Sequence, residues 1–173
     1  LNEDISVSPD IAFDAGSTIK VGIATAFFRY FDEPLDDEAS RWLVEMLTQS
    51  GNDPANWLME RIDFGQGPVA VTESLSALGL ENSYIVAWFE NPRRFTTPAQ
   101  LIAASPPATP ANQRLDINTR PNQLNQTTAS ELGMLLADLY SCAKGGGGLL
   151  AAFPDQFRPG ECARILDLLS ENR

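Results

Sequence analysis

The chain has 173 residues, 43% apolar and 20% charged, enough for one domain with a real core. Its 23 acidic against 12 basic residues give a net charge of −11, which argues against binding nucleic acid or an anionic membrane through the general field. Histidine is absent, which removes Ser-His-Asp and Cys-His mechanisms and most zinc sites, so a hydrolase built from this sequence must take Lys, Glu or Asp as its base.

No stretch approaches the roughly 18 continuous apolar residues of a membrane span, and no signal peptide is visible. The chain begins at Leu1, which leaves room for a leader or an upstream segment. Neither cofactor nor metal is called for.

In chain order, Ile5, Val7 and Ile11 suit a short extended piece. Gly16 breaks the chain, and a helix is predicted from Ser17 to near Phe31. Ile19, Ile23, Phe27, Tyr30 and Phe31 fall close to one face, and Lys20 is the only charge between Ala15 and Phe28. A helix apolar nearly all round is normally a buried one. Asp36 and Asp37 cap a second helix that runs to about Gln49, with Trp42, Leu43, Met46 and Leu47 at helical spacing. Ser50-Gly51-Asn52 interrupts it. Asp53-Pro54 opens a third helix, and Gly65-Gln66-Gly67 is a loop. Val69 to Leu78 is the fourth helix, with Gly79 beyond its end.

Tyr84 to Phe89 reads as extended. Residues 90 to 126 are rich in Pro, Asn, Thr and Gln, with a short helix expected at Pro98 to Ala104. A loop this long inside a compact domain is often functional. Thr128 and Glu131 have the spacing of a capping box ahead of a fifth helix. Gly145 to Gly148 is a flexible break, not a phosphate cradle, because no strand precedes it and no G-K-[ST] follows. Leu149 to Phe153 is a brief apolar piece, and Pro159 to Glu171 is the last helix. The whole reads as mainly α, with six or seven helices and little sheet. Cys142 and Cys162 could form a disulfide or remain two buried thiols.

The chemistry centres on the first helix. Ser17 and Lys20 are three apart and project to one side. Burial lowers a lysine's pKa and frees the neutral amine to act as a base. A serine, an adjacent amine and the free N–H groups of a helix start are the parts of acyl-transfer chemistry. Taken alone, S-x-x-K is common, and a serine ahead of a helix is usually an N-cap. Ser50 and Asn52, a hydroxyl and a carboxamide two residues apart, can relay a proton and hold a substrate amide, although the same residue types also make ordinary turns.

The combination resembles the class A β-lactamase and penicillin-binding-protein superfamily of serine acyltransferases, whose elements are S-x-x-K, S-D-N and K-T-G. The first match is Phe13-Asp14-Ala15-Gly16-Ser17-Thr18-Ile19-Lys20. The second is Ser50-Gly51-Asn52-Asp53-Pro54-Ala55-Asn56-Trp57-Leu58, similar to S-D-N-x-A-x-N-x-L. A third, Asn125-Gln126-Thr127-Thr128-Ala129-Ser130-Glu131-Leu132, is like the start of the helix after the family's Ω-loop. The resemblance implies Ser17 as nucleophile, Lys20 as its base, Ser50 as proton relay and Asn52 as substrate-binding amide. The Ser17 N–H would give half of an oxyanion hole. In the region comparable to the Ω-loop, Pro110 to Asn125, no Glu occurs. Asp116 and Asn118 are the stand-ins for that glutamate and on the substrate side, but Asp116 reads more readily as the cap of a turn and is not expected to be an efficient deacylating base.

Gly51 replaces the family's Asp, the Lys20-to-Ser50 segment is short, and no K-T-G occurs in the chain. The chain therefore looks like the helical subdomain of that α/β fold with the sheet largely missing: one domain, 1–173, lacking the K-T-G strand region and inactive by itself. The resemblance implies a serine hydrolase acting on a β-lactam or a peptide, amide or ester substrate in an extracytoplasmic setting, periplasmic or secreted. A non-catalytic binding or structural module of the same fold is the alternative, and a helical interaction domain with coincidental motifs a third. The expected partners are a small-molecule or peptide substrate, and the remaining segments of the fold or a second copy. The Ser17 helix is expected to present more apolar surface than short amphipathic helices can cover.

Overall fold

A computed structural model describes residues 7–90, 101–117 and 123–172. Seven α-helices follow one another among these residues: α1 (Ile19–Tyr30), α2 (Asp37–Gln49), α3 (Asn52–Ile62), α4 (Gly67–Ala77), α5 (Ala129–Ala143), α6 (Gly148–Ala152) and α7 (Pro159–Ser170). Two short antiparallel strands, β1 (Tyr84–Ile85) and β2 (Asn125–Gln126), pair Tyr84 with Gln126 and Ile85 with Asn125. A bridge from Phe13 to Thr127 ties the stretch before α1 to the same ribbon.

Helix α1 is the axis of the molecule. Ten of its twelve residues are buried, from Ile19 through Phe28. Helices α2, α3, α4 and α7 all pack against it. Ile23, Phe27 and Phe28 have no exposed surface and meet Leu43, Leu58, Val71 and Ile165 in one core. Burying each such side chain contributes roughly 1.5–3 kcal/mol. The expectation that this helix would be left uncovered is thus wrong. The amphipathic helices are short, but four of them surround it. Among the described helices, the exposed large apolar side chains are Tyr30, at the very end of α1, and Met134, Leu136 and Tyr140 on α5.

Local chemistry sets most boundaries. Asp36 caps α2 by accepting the Ala39 N–H at 2.9 Å. Helix α4 begins at Gly67, two residues earlier than expected, with Pro68 in its first turn. The Thr128 hydroxyl accepts the Glu131 N–H at the head of α5, but the reciprocal half of the expected capping box is missing. The Glu131 carboxylate is drawn away to accept from Asn82 N, Asn82 Nδ2 and Ser83 Oγ, where it fixes the approach to β1.

Of the expected helix at Pro98 to Ala104, only Leu101 is helical among the described residues, as a 3₁₀ residue, and Ile102 to Ala104 are not helical. Trp88 N donates to Leu101 O at 2.7 Å, Ala103 N donates to Val86 O at 2.8 Å, and Ile102 bridges to Ala87. The returning chain satisfies the edge of the extended Tyr84–Phe89 stretch, and that pairing outweighs a short helix. Residues 98–100 lie outside the described residues, as does Ile5. No helix among the described residues is long and apolar enough to cross a membrane.

Cys142 and Cys162 are bonded to each other and wholly buried, tying the last turn of α5 to the first of α7 across a separation of 20 residues. Closing a loop of that size stabilises by about 3 kcal/mol in the chain-entropy account. Replacing both cysteines with alanine is expected to lower the stability by about that amount, read from the urea midpoint. An unchanged midpoint would show that α5 and α7 hold together without the bond.

Candidate active site

Gly16, at φ +50°, turns the chain into a short 3₁₀ segment, Gly16–Thr18, that leads directly into α1. Its N–H is held twice, by Asp14 Oδ1 at 2.9 Å and by Asn125 Oδ1 at 2.8 Å. The nucleophile candidate is therefore anchored through β2, 109 residues away in sequence. Ser17 is exposed, and no side chain caps this segment. Its hydroxyl lies 3.2 Å from Lys20 Nζ.

The second side of the site is the α2–α3 junction. Ser50 ends α2 in the left-handed region at φ 56° and ψ 34°, which most residues avoid. Gly51 follows with its N–H donated to Glu45 O at 3.2 Å, and Asn52 begins α3. A Cβ on Gly51 would lie 3.0 Å from Pro54 Cδ and Cγ. The tight corner therefore accounts for a glycine between the two polar residues.

Both sides converge on Lys20. Its amine reaches Ser50 O at 2.5 Å, Asn52 Oδ1 at 2.8 Å, and the hydroxyls of Ser17 and Ser50 at 3.2 Å each. Lys20 is only 2% exposed. No carboxylate pairs with it among the described residues, and burial lowers its pKa from 10.5 to about 8. Near neutral pH a useful fraction of this lysine is a free amine, placed to take a proton from Ser17 Oγ. The Phe89 ring covers the amine, with its centroid 4.8 Å from Nζ. Asn56, itself wholly buried, holds the Phe89 backbone from both sides: Nδ2 donates to Phe89 O and Oδ1 accepts Phe89 N, each at 2.9 Å.

The geometry thus joins Ser17, Lys20, Ser50 and Asn52 at one point. Asp116 is elsewhere engaged. Its carboxylate accepts from Arg114 at 3.0 and 2.5 Å, and that guanidinium holds it below the usual carboxylate range. Asn118 lies outside the described residues. A cleft of about 400 Å³ opens beside the site, with Ser17, Lys20 and Ser50 at its polar end and Met46, Leu47, Leu136 and Leu169 along its walls.

Three residues of this arrangement escaped the sequence. Asn56 and Asn125 both lie inside the quoted motif stretches, but only the fold shows what their amides grip. Phe89 carries no signal at all, since an aromatic in an extended run reads as core.

The left-handed Ser50 yields a sharp test. Ser50→Gly relieves the backbone and keeps the carbonyl that holds Lys20, whereas Ser50→Ala keeps the strain. The glycine variant is expected to be the more stable by about 1 kcal/mol in urea unfolding. Equal midpoints would mean that the αL conformation costs this chain nothing.

No protein-family model and no curated protein sequence matches the chain. Solved structures do. An ancestral class A β-lactamase (GNCA) superposes with a TM-score of 0.58 at 21% identity, covering 98% of this chain and 61% of its own. A variant of the last common ancestor of Gram-negative bacteria class A β-lactamases, W229D/F290W-12, gives 0.60 at 19% over 98% and 60%. Another variant of that ancestor, bound to the transition-state analogue 5(6)-nitrobenzotriazole, gives 0.58 at 20% over 98% and 60%. The chain therefore has the fold of the helical part of a class A β-lactamase and spans about three fifths of the length of these structures.

Proposed function

We propose that this chain carries the nucleophile side of a serine acyl-transfer site of the β-lactamase-like kind, acting on a β-lactam or on another amide or ester. Ser17 Oγ gives its proton to Lys20 Nζ and bonds to the substrate carbonyl. The leaving nitrogen or oxygen then takes a proton from the Lys20 ammonium through the Ser50 hydroxyl as its bond to carbon breaks. Asn52 holds the substrate amide, with Asp116 and Asn118 as contributors from the long loop. The Ser17 N–H donates to the developing oxyanion. The carrying observation is a desolvated amine within 3.2 Å of two serine hydroxyls and without a carboxylate partner among the described residues. The buried disulfide supports an extracytoplasmic setting, where such bonds persist.

Incubating the full-length protein with a fluorescent penicillin, followed by peptide mass spectrometry, tests this. The expected adduct is on Ser17 and is lost in Ser17→Ala. Label on another residue, or none, would sink the reading. A non-catalytic binding module of the same fold is the second reading. It is favoured by Asp116, the one carboxylate in the 110–125 region, being tied up by Arg114.

A further inference from the structure

We infer that Phe89, clamped by Asn56, is a positioning residue that closes the remaining side of the Lys20 amine to water, so that the site keeps an acyl group once it has taken one. The inference rests on the Ser17–Lys20 reading above.

The amine has few directions left. Ser17, Ser50 and Asn52 occupy its polar side, and the Phe89 ring stands over it. Release of an acyl group requires water to bond to the acyl carbon while a base takes the water proton. The carbon–Oγ bond then breaks and Ser17 Oγ is reprotonated. Lys20 is the basic group already in place, yet with the nucleophile acylated a water must come within hydrogen-bond reach of Nζ. The ring fills that approach. The backbone that carries it is fixed, because both of its hydrogen-bonding groups are taken by one buried side chain.

The long polar segment supplies no substitute. Between residues 90 and 126 the sequence holds two carboxylates, Glu90 and Asp116. Asp116 is paired with Arg114, and Glu90 is exposed next to Phe89. The groups facing Lys20 from α1, from the α2–α3 junction and from the Phe89 segment are two serines, an asparagine and a phenyl ring, all uncharged. A carboxylate at position 89 would place a base beside both the amine and the acyl carbon.

The full-length protein is labelled with a fluorescent penicillin, freed of excess probe, and the Ser17 adduct followed by mass spectrometry against time and pH. The parent is expected to hold its adduct. Phe89→Glu is expected to release it about 10²-fold faster, the lower end of what a positioned general base supplies. Phe89→Leu, which keeps an apolar cover, should release as slowly as the parent and keep the pH midpoint of acylation. Phe89→Ala should raise that midpoint, because a hydrated lysine is a stronger base, and should hasten release. Glu90→Gln should change neither.

A parent that releases as fast as Phe89→Glu overturns the inference, as does a slower release in Glu90→Gln. If Phe89→Glu does not fold, the leucine and alanine variants decide: equal release and equal pH midpoints in the two overturn it. Released product with no lasting adduct on the parent refutes the role of Phe89 alone, whereas neither product nor adduct refutes the Ser17–Lys20 reading and this inference together.

Discussion

Lys20→Met is expected to abolish labelling of Ser17 while leaving the folded protein as stable as the parent, or more so, at pH 6.5. The chemical half follows from the proton: without the amine no described group accepts it from Ser17 Oγ, and a positioned base is worth about 10²–10⁴ in rate. The stability half follows from burial. Lys20 binds its proton near pH 10.5 when unfolded and near 8 when folded. Between those values the unfolded chain holds more protons, so stability climbs as the pH rises from about 8 towards 10.5. Below 8 the folded state carries the full cost of desolvating the ammonium, at most about 3 kcal/mol from this shift. Methionine removes that cost, but it also surrenders the contacts to Ser50 O and Asn52 Oδ1. The diagnostic is therefore the difference in Tm between variant and parent, measured from pH 6.5 to 10. It should shrink, or turn against the variant, as the pH rises. A difference independent of pH would mean that Lys20 is not desolvated as the fold implies.

Much of this site was legible in the sequence because its key pair is local. Ser17 and Lys20 sit one helical turn apart, and a lone lysine in an apolar run is visible without coordinates. The helices were equally legible, since Asp36, Pro68 and Thr128 act through neighbouring backbone. What stayed hidden is what depends on partners distant in sequence. Glu131 has the spacing of a cap but is spent on Asn82 and Ser83, 49 and 48 residues away. Residues 101–104 have no strong pattern, and the free edge beside Val86 and Trp88 decides their conformation. The coverage of α1 was misjudged for a related reason. Hydrophobic spacing reports how much surface a helix offers, not how many neighbours will converge on it. Phe89 over Lys20 is the extreme case, a contact between two elements set by an asparagine amide on a third.

The largest stability loss is expected from one methyl group, in Gly67→Ala. Gly67 opens α4 against the last turns of α3, and a Cβ there would lie 2.2 Å from Met59 O and 2.5 Å from Met59 C. Both are backbone atoms, so no side-chain rotation relieves the clash. The Met59 carbonyl also accepts the Asp63 N–H that finishes α3, which fixes it further. The start of α4 must move away from α3, and Met59, Leu58 and Val71, all without exposed surface, lose their fit. Overpacking of this kind costs about 3 kcal/mol or more, a large share of the roughly 5–15 kcal/mol that holds a domain together. Gly146→Ala is the control, because nothing lies within 4 Å of its Cβ position and its φ is not in the left-handed region. Urea midpoints should separate the two variants widely. The damage should also reach the chemistry, because α3 carries Asn52 and Asn56 at its other end, and a displaced α3 loosens both the amine's partner and the clamp on Phe89. A Gly67→Ala protein within about 0.5 kcal/mol of the parent, the range of an ordinary surface change, would mean that α3 and α4 do not pack as closely as described.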